Sequence, residues 1–331
     1  MSPCMKRRAW LRQGASMALA SAAWPAWPQS ALPRVAYVWL YNEGPSGPYN
    51  EAFRERMEQL GWVSGRTAHI EFHNAHGSGE QLDNIMRELV RGKVDVIVAT
   101  CTPEAHSSRK FTSTIPVVLA ATGDPVAAGL VQSIARPGGN MTGVSSMSLT
   151  LSARRVALLK EAFPRLTQGT VLWNPVRKDN EPEVQIMQVA GQRLGLQLQS
   201  VQVRSAEELA SQIEALGWGG RTQSVLNAGD TLVTTSRQAL VDKAASLRIP
   251  GMYEDRIFVE AGGLMSYGPN LRAQHRRAAE YVDRILKGAR PGEMPIEQPT
   301  RFELVVNLKA ARAIGVTLPQ TVLLQADEVI T

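Results

Sequence analysis

PGMYEDRIFVEAGGLMSYG, residues 250–268, reads as a strand, a polar loop, a short helix, a double glycine and a second strand. Tyr253, Glu254 and Asp255 stand at the end of the first strand, and Tyr267 stands near the end of the second. In an open α/β sheet, ligands sit beyond the carboxyl ends of strands. The stretch is therefore expected to supply one wall of a cleft, through Tyr253, and then a crossing between two lobes. In that reading Gly262 to Gly268 is the crossing, and Gly263 acts through motion.

Working outward, short apolar runs alternate with helical patterns from Arg34 onward, the signature of βαβ units and a parallel sheet. Val35 to Leu40 is apolar throughout rather than alternating, as expected of a strand covered on both faces. Strands are expected at His69–Phe72, Val94–Thr100, Ile115–Ala120 and Thr142–Ser146, with a short helix after Asp124-Pro125. A second series begins at Leu151, with strands at Thr170–Trp173, Leu198–Val203, Val225–Asn227 and Gly251–Tyr253. Ile115-Pro116 and Ile249-Pro250 each precede a strand, a faint internal echo between the halves.

A chain of 331 residues exceeds the size at which one core usually stops growing, so two lobes are expected. The fold class is α/β, with two doubly wound, Rossmann-like lobes. One lobe is expected to comprise 33–147 plus 266–298, and the other 148–265 plus 299–331, with crossings near Met147, Met265 and Pro299.

Residues 1–30 read as an export signal: Lys6, Arg7, Arg8 and Arg12 precede a short, weakly apolar stretch, Gly14 to Ala23. The arginine pair fits a twin-arginine signal, with the general secretory route as the alternative, and the expected location is periplasmic. The net charge of +6 is concentrated here, because setting these four aside leaves 32 of 36 bases against 30 acids. A near-neutral body argues against nucleic-acid binding. Cys4 lies within the signal, which leaves Cys101 with no intramolecular disulfide partner.

The combination Arg136-Pro-Gly-Gly-Asn140-Met-Thr-Gly-Val, Tyr253-Glu through Ala261-Gly-Gly-Leu-Met-Ser-Tyr-Gly268, Ile285-Leu-Lys-Gly-Ala289 and Pro299-Thr300-Arg-Phe302-Glu-Leu-Val-Val-Asn307 resembles one family. It is the ABC transporter substrate-binding protein family that includes the tryptophan/tyrosine-type binding proteins. The resemblance extends from Pro33 to Ile330. It implies a periplasmic binding protein-like fold of the first type, with about three hinge crossovers and a ligand in the interlobe cleft. It also implies an ABC permease as partner, a small ligand such as an aromatic or branched amino acid, no catalysis, and a monomer.

Tyr41 and Asn42 follow the first strand, where Tyr41 could stack on a ligand and Asn42 bond its polar head. Thr102-Pro103 opens a helix whose free N–H groups suit a carboxylate, although capping alone would also explain Thr102. Asp124 and Asp230 each stand at a strand's end before a helix, as caps or as partners of a ligand ammonium, with Asp230 preferred. Asn174 is a further polar contact, and Tyr253 and Tyr267 are candidates for an aromatic wall. Cys101 departs from the glycine that members of the resembled family often carry; a thiol hydrolase would need a base that nothing orients. His69, His73 and His76 lack a ligand cage, and no phosphate-binding glycine fingerprint occurs, so neither metal nor cofactor is expected. A ligand sensor of the same fold is the alternative role.

Overall fold

The computed structural model describes residues 32–40, 47–177, 180–217 and 222–331. Leu32 to Thr331 form one compact unit. Its first sheet contains β1 (Arg34–Trp39), β2 (His69–Asn74), β3 (Val96–Ala99), β4 (Val117–Thr122) and β5 (Met141–Ser145), all parallel, in the order β2-β1-β3-β4-β5. The continuous apolar run in β1 has its cause here: Val35, Tyr37 and Trp39 enter one core cluster while Ala36 and Val38 enter another. A strand with helices on both faces has no side left for polar residues.

The second sheet holds β6 (Gln168–Trp173), β7 (Gln197–Gln202), β8 (Val225–Asn227), β9 (Gly251–Tyr253), β10 (Met265–Gly268), β11 (Glu303–Asn307) and β12 (Glu328–Ile330), in the order β12-β11-β10-β9-β8-β6-β7. Only the β10 and β11 pair runs antiparallel among these described pairings. Strands β7-β6-β8-β9-β10 repeat the connection order of the first sheet, so Ile115-Pro116 and Ile249-Pro250 precede equivalent fourth strands.

The chain leaves the first lobe after β5, into α4 (Ser148–Ala162), and returns through α10 (Leu271–Leu286), whose Ala278, Tyr281 and Val282 enter the core over β1 and β3. Asn270 caps α10 by accepting the Ala273 N–H at 2.9 Å. Glu297 then bridges to Val144 beside β5 before the chain enters β11.

Three expectations need correction. The return to the first lobe follows β10 instead of running through Gly262 to Gly268, because Met265 and Ser266 pair with Met252 and Tyr253 inside the second sheet. Gly263 is therefore a packing residue: a Cβ there would meet Phe258 O at 2.6 Å and Tyr253 Cε2 at 2.7 Å. Asp124-Pro125 opens a turn, not a helix, with Asp124 Oδ1 accepting the N–H groups of Val126 and Ala127.

Candidate functional site

Carboxyl ends of strands from both sheets converge on one cavity, as doubly wound topology dictates. The first lobe lines it with Tyr37 and Trp39 of β1, Thr100 and Cys101 beyond β3, Tyr49 of α1 (Pro48–Gln59) and His275 of α10. The second lobe contributes Arg155 of α4, Arg177 after β6, Asp230 after β8, Glu254 after β9 and Tyr267 of β10.

The first-lobe wall is aromatic and uncharged. Tyr49 stacks on His275 with centroids 5.2 Å apart and an 18° angle, and Tyr37 Oη lies 2.7 Å from His275 Nδ1. Burial pushes His275 down to about 3, so its ring is neutral at physiological pH. Tyr37 and Tyr49 are raised well above the ordinary phenol value, chiefly by burial, and stay protonated donors. Tyr49 uses its hydroxyl across the cleft, donating to Asp255 Oδ2 at 2.6 Å.

The second-lobe wall is charged. Arg155 Nη2 meets Glu183 Oε1 of α5 (Asn180–Arg193) at 2.7 Å, with both side chains about 1% exposed. A buried pair of this kind returns little net stability after desolvation; its local effect is positional. Glu183 Oε2 accepts the Gly229 N–H at 3.3 Å and Arg177 Nη1 donates to Gly229 O at 2.5 Å, clamping the loop that presents Asp230. Asp230 Oδ1 accepts the Leu232 N–H at 2.8 Å and the Asn174 Nδ2 donor at 3.4 Å.

Glu254 is a strongly perturbed carboxyl in the cavity. Burial first, then the neighbouring Asp255 charge, raise it to about 8, with Glu183 adding to and Arg155 and Arg177 opposing the shift. Its Oε1 accepts from Asn227 Nδ2 and Thr234 Oγ1, both at 3.3 Å, long contacts for a carboxylate.

Of the residues expected from sequence, Asp230 and Tyr267 line the cavity, and Asn174 lies behind Asp230 as its partner. Thr102, Asp124 and Tyr253 are not among the lining residues. Thr102 is buried at the start of α3 (Thr102–Phe111), and Asp124 holds its own turn. Tyr253 is fully buried, its ring stacked on Phe258 at 4.8 Å, in the core and not in the cleft wall. Tyr41 and Asn42 lie outside the described residues. Sequence reasoning missed Trp39, Thr100, Arg155, Arg177 and Glu254 as cavity residues. Glu254 was within reach, since neighbours on a strand face opposite ways and placing Tyr253 in the core sends the next side chain to the cleft.

The sequence profile described as ABC transporter substrate binding protein matches residues 48–330. The chain belongs to this family. The motif resemblance running from Arg136 to Asn307 is thereby confirmed. A curated member, the "Tyrosine-binding protein" of Clostridioides difficile (strain R20291), is 25% identical over 264 residues, covering 80% of this chain and 75% of that one. Among solved structures, the ABC domain in complex with L-Trp from Streptococcus pneumonia matches with a TM-score of 0.81 at 24% identity, covering 91% of this chain and all (100%) of that one. The ligand-free, open structure of a substrate binding protein with adhesive properties from Clostridium difficile matches with a TM-score of 0.62, again at 24% identity and 91% and 100% coverage. These likenesses show the two-lobed α/β fold of type I periplasmic binding proteins. Family and relatives are binding proteins, and this ABC transporter substrate binding protein is one too, not an enzyme.

Proposed function

We propose that the protein captures an amino acid, aromatic or branched in its side chain, in the interlobe cleft and delivers it to the permease of an ABC importer. The observation that carries this reading is the chemistry of the cavity wall. One enclosure holds cations (Arg155, Arg177), carboxyl groups (Asp230, Glu254) and aromatic rings (Tyr37, Trp39, Tyr49, Tyr267), which together match a zwitterion with an apolar side chain. The ammonium end belongs on Asp230 and Glu254, and Tyr267 packs against the side chain. Asn174 acts by holding Asp230.

The named ligands of the relatives, tyrosine and L-Trp, support the same class. The better superposition on the L-Trp complex than on the open, ligand-free chain, at equal identity and coverage, supports a lobe arrangement of the ligand-bound kind. The basic N-terminal stretch with Arg7-Arg8 supports export to the periplasm. The test is thermal melting of the full chain with L-tyrosine, L-tryptophan and L-leucine. A ligand at a hundred times its dissociation constant stabilises by about 2.7 kcal/mol. Absence of any shift across the amino acids would defeat the proposal.

A further inference from the structure

Two side chains in the cavity wall carry hydrogen-bonding atoms without a partner among the described residues: Trp39 Nε1 and Thr100 Oγ1. Both residues are buried, at 1% and 6% exposure. Buried polar groups in folded proteins are almost always bonded, so two orphans in one wall call for a cause.

Their position supplies it. Val38 pairs with Ala99, so the next residues, Trp39 and Thr100, stand side by side where β1 and β3 end. The gap between β1 and β3 is the point at which the order β2-β1-β3-β4-β5 reverses direction, the place where this topology leaves room for a ligand. Trp39 shares its sheet face with Tyr37 and Val98, and Thr100, two residues past Val98, continues that face to the cavity rim.

The chemistry of the pair narrows what it can receive. An indole N–H only donates, so the group it meets must be an acceptor, and the threonine hydroxyl can rotate to donate beside it. The helix α3 starts immediately beyond Thr100, so its N-terminal end favours negative charge beside the pair, and the facing wall offers cations, Arg155 and Arg177, as well as the carboxyls Asp230 and Glu254 that suit the ammonium end. Glu104 shares this helix end without competing, because its oxygens are already taken by the Leu40 N–H at 2.5 Å and the Cys101 N–H at 3.0 Å.

We propose that Trp39 Nε1–H and Thr100 Oγ–H are the first-lobe donors that receive the carboxylate of the captured amino acid. This assignment rests on the amino-acid reading above and adds the residues that set the ligand's orientation. Its consequence is selectivity for the acid over the corresponding amine, since an amine leaves both donors unpaired.

The experiment is calorimetric titration of the full chain with L-tryptophan and L-tyrosine against tryptamine and tyramine, in the wild type, Trp39→Phe and Thr100→Val. Each variant is expected to weaken binding of the amino acids by about tenfold, the scale of one hydrogen bond to a charged group. The amines should bind each variant as they bind the wild type, so the acid-over-amine preference shrinks. Equal weakening of acid and amine, or no weakening, overturns the assignment. If the wild type binds none of the four compounds, the amino-acid reading fails, and melting of ligand-free Thr100→Val then decides this one. An unpartnered hydroxyl predicts a Tm equal to or above that of the wild type, whereas a lower Tm shows a structural partner for Thr100 and overturns it.

Discussion

Glu104 in the first lobe and Glu254 in the second are both buried glutamates beside the same cleft, and they are held in opposite ways. The oxygens of Glu104 accept two backbone N–H groups, from Leu40 and Cys101, and tie the end of β1 to the start of α3. Glu254 has two long side-chain contacts, lines the cavity and sits among the like charges of Asp255 and Glu183. A carboxylate satisfied by backbone donors is scaffold; one left short of donors and crowded by acids gains from a cationic visitor.

The contrast can be broken most directly at Glu104. Glu104→Ala strands two backbone donors, and a stability loss of about 2–4 kcal/mol is expected in denaturant unfolding. A loss well below that would mean the carboxylate is not structural. Glu254→Gln should leave unfolding nearly unchanged below about pH 4.5, where Glu254 carries its proton in the folded protein, yet weaken amino-acid binding about 10- to 100-fold, the scale of a hydrogen bond to a charged group. Intact affinity in titration calorimetry would remove Glu254 from the site.

The third expectation concerns pH. Glu254 is raised to about 8 from an ordinary 4.5, so the folded protein keeps a proton that the unfolded chain has released. The stabilisation is fully present below about 4.5 and is lost as pH rises through 8. The Tm of the ligand-free protein should therefore fall between pH 5 and pH 8.5, and Glu254→Gln should flatten that slope. An unchanged slope in the variant places the titration elsewhere. The smallest effect is expected at Tyr49→Phe, which removes the bond to Asp255 across the cleft. Affinity should drop about fivefold with little change in stability, reflecting one hydrogen bond that holds the lobes together; a large loss of stability instead would make Tyr49 a core residue.

Much of the fold was legible because its cues are local. Period-2 and period-3.6 patterns, the continuous apolar run of β1 and the turn glycines depend on residues a few positions apart. Even the echo of Ile115-Pro116 and Ile249-Pro250 marked equivalent strands. The turn at Asp124 was misread because a carboxylate capping two N–H groups looks alike in sequence whether or not a helix follows.

The site was less legible, for a different reason. Sequence placed Asp230 and Tyr267 near strand ends, where topology alone sends residues to the cleft. It could not tell Tyr253 from Glu254, because which face of a strand meets the core depends on what packs there, and Phe258 and Gly263 claim the tyrosine. Nor could it tell Arg155 from the adjacent Arg154, which reaches Gln325 at the surface. By itself, then, the sequence determined the α/β class, the two doubly wound halves and the family, all products of short-range pattern and motif. Only the tertiary structure decided that Arg155 is buried against Glu183, that Glu254 lines the cavity, and that Trp39 and Thr100 line it with side-chain donors that have no partner among the described residues. Those facts depend on burial and charge between residues far apart in the chain, and no local spacing encodes them.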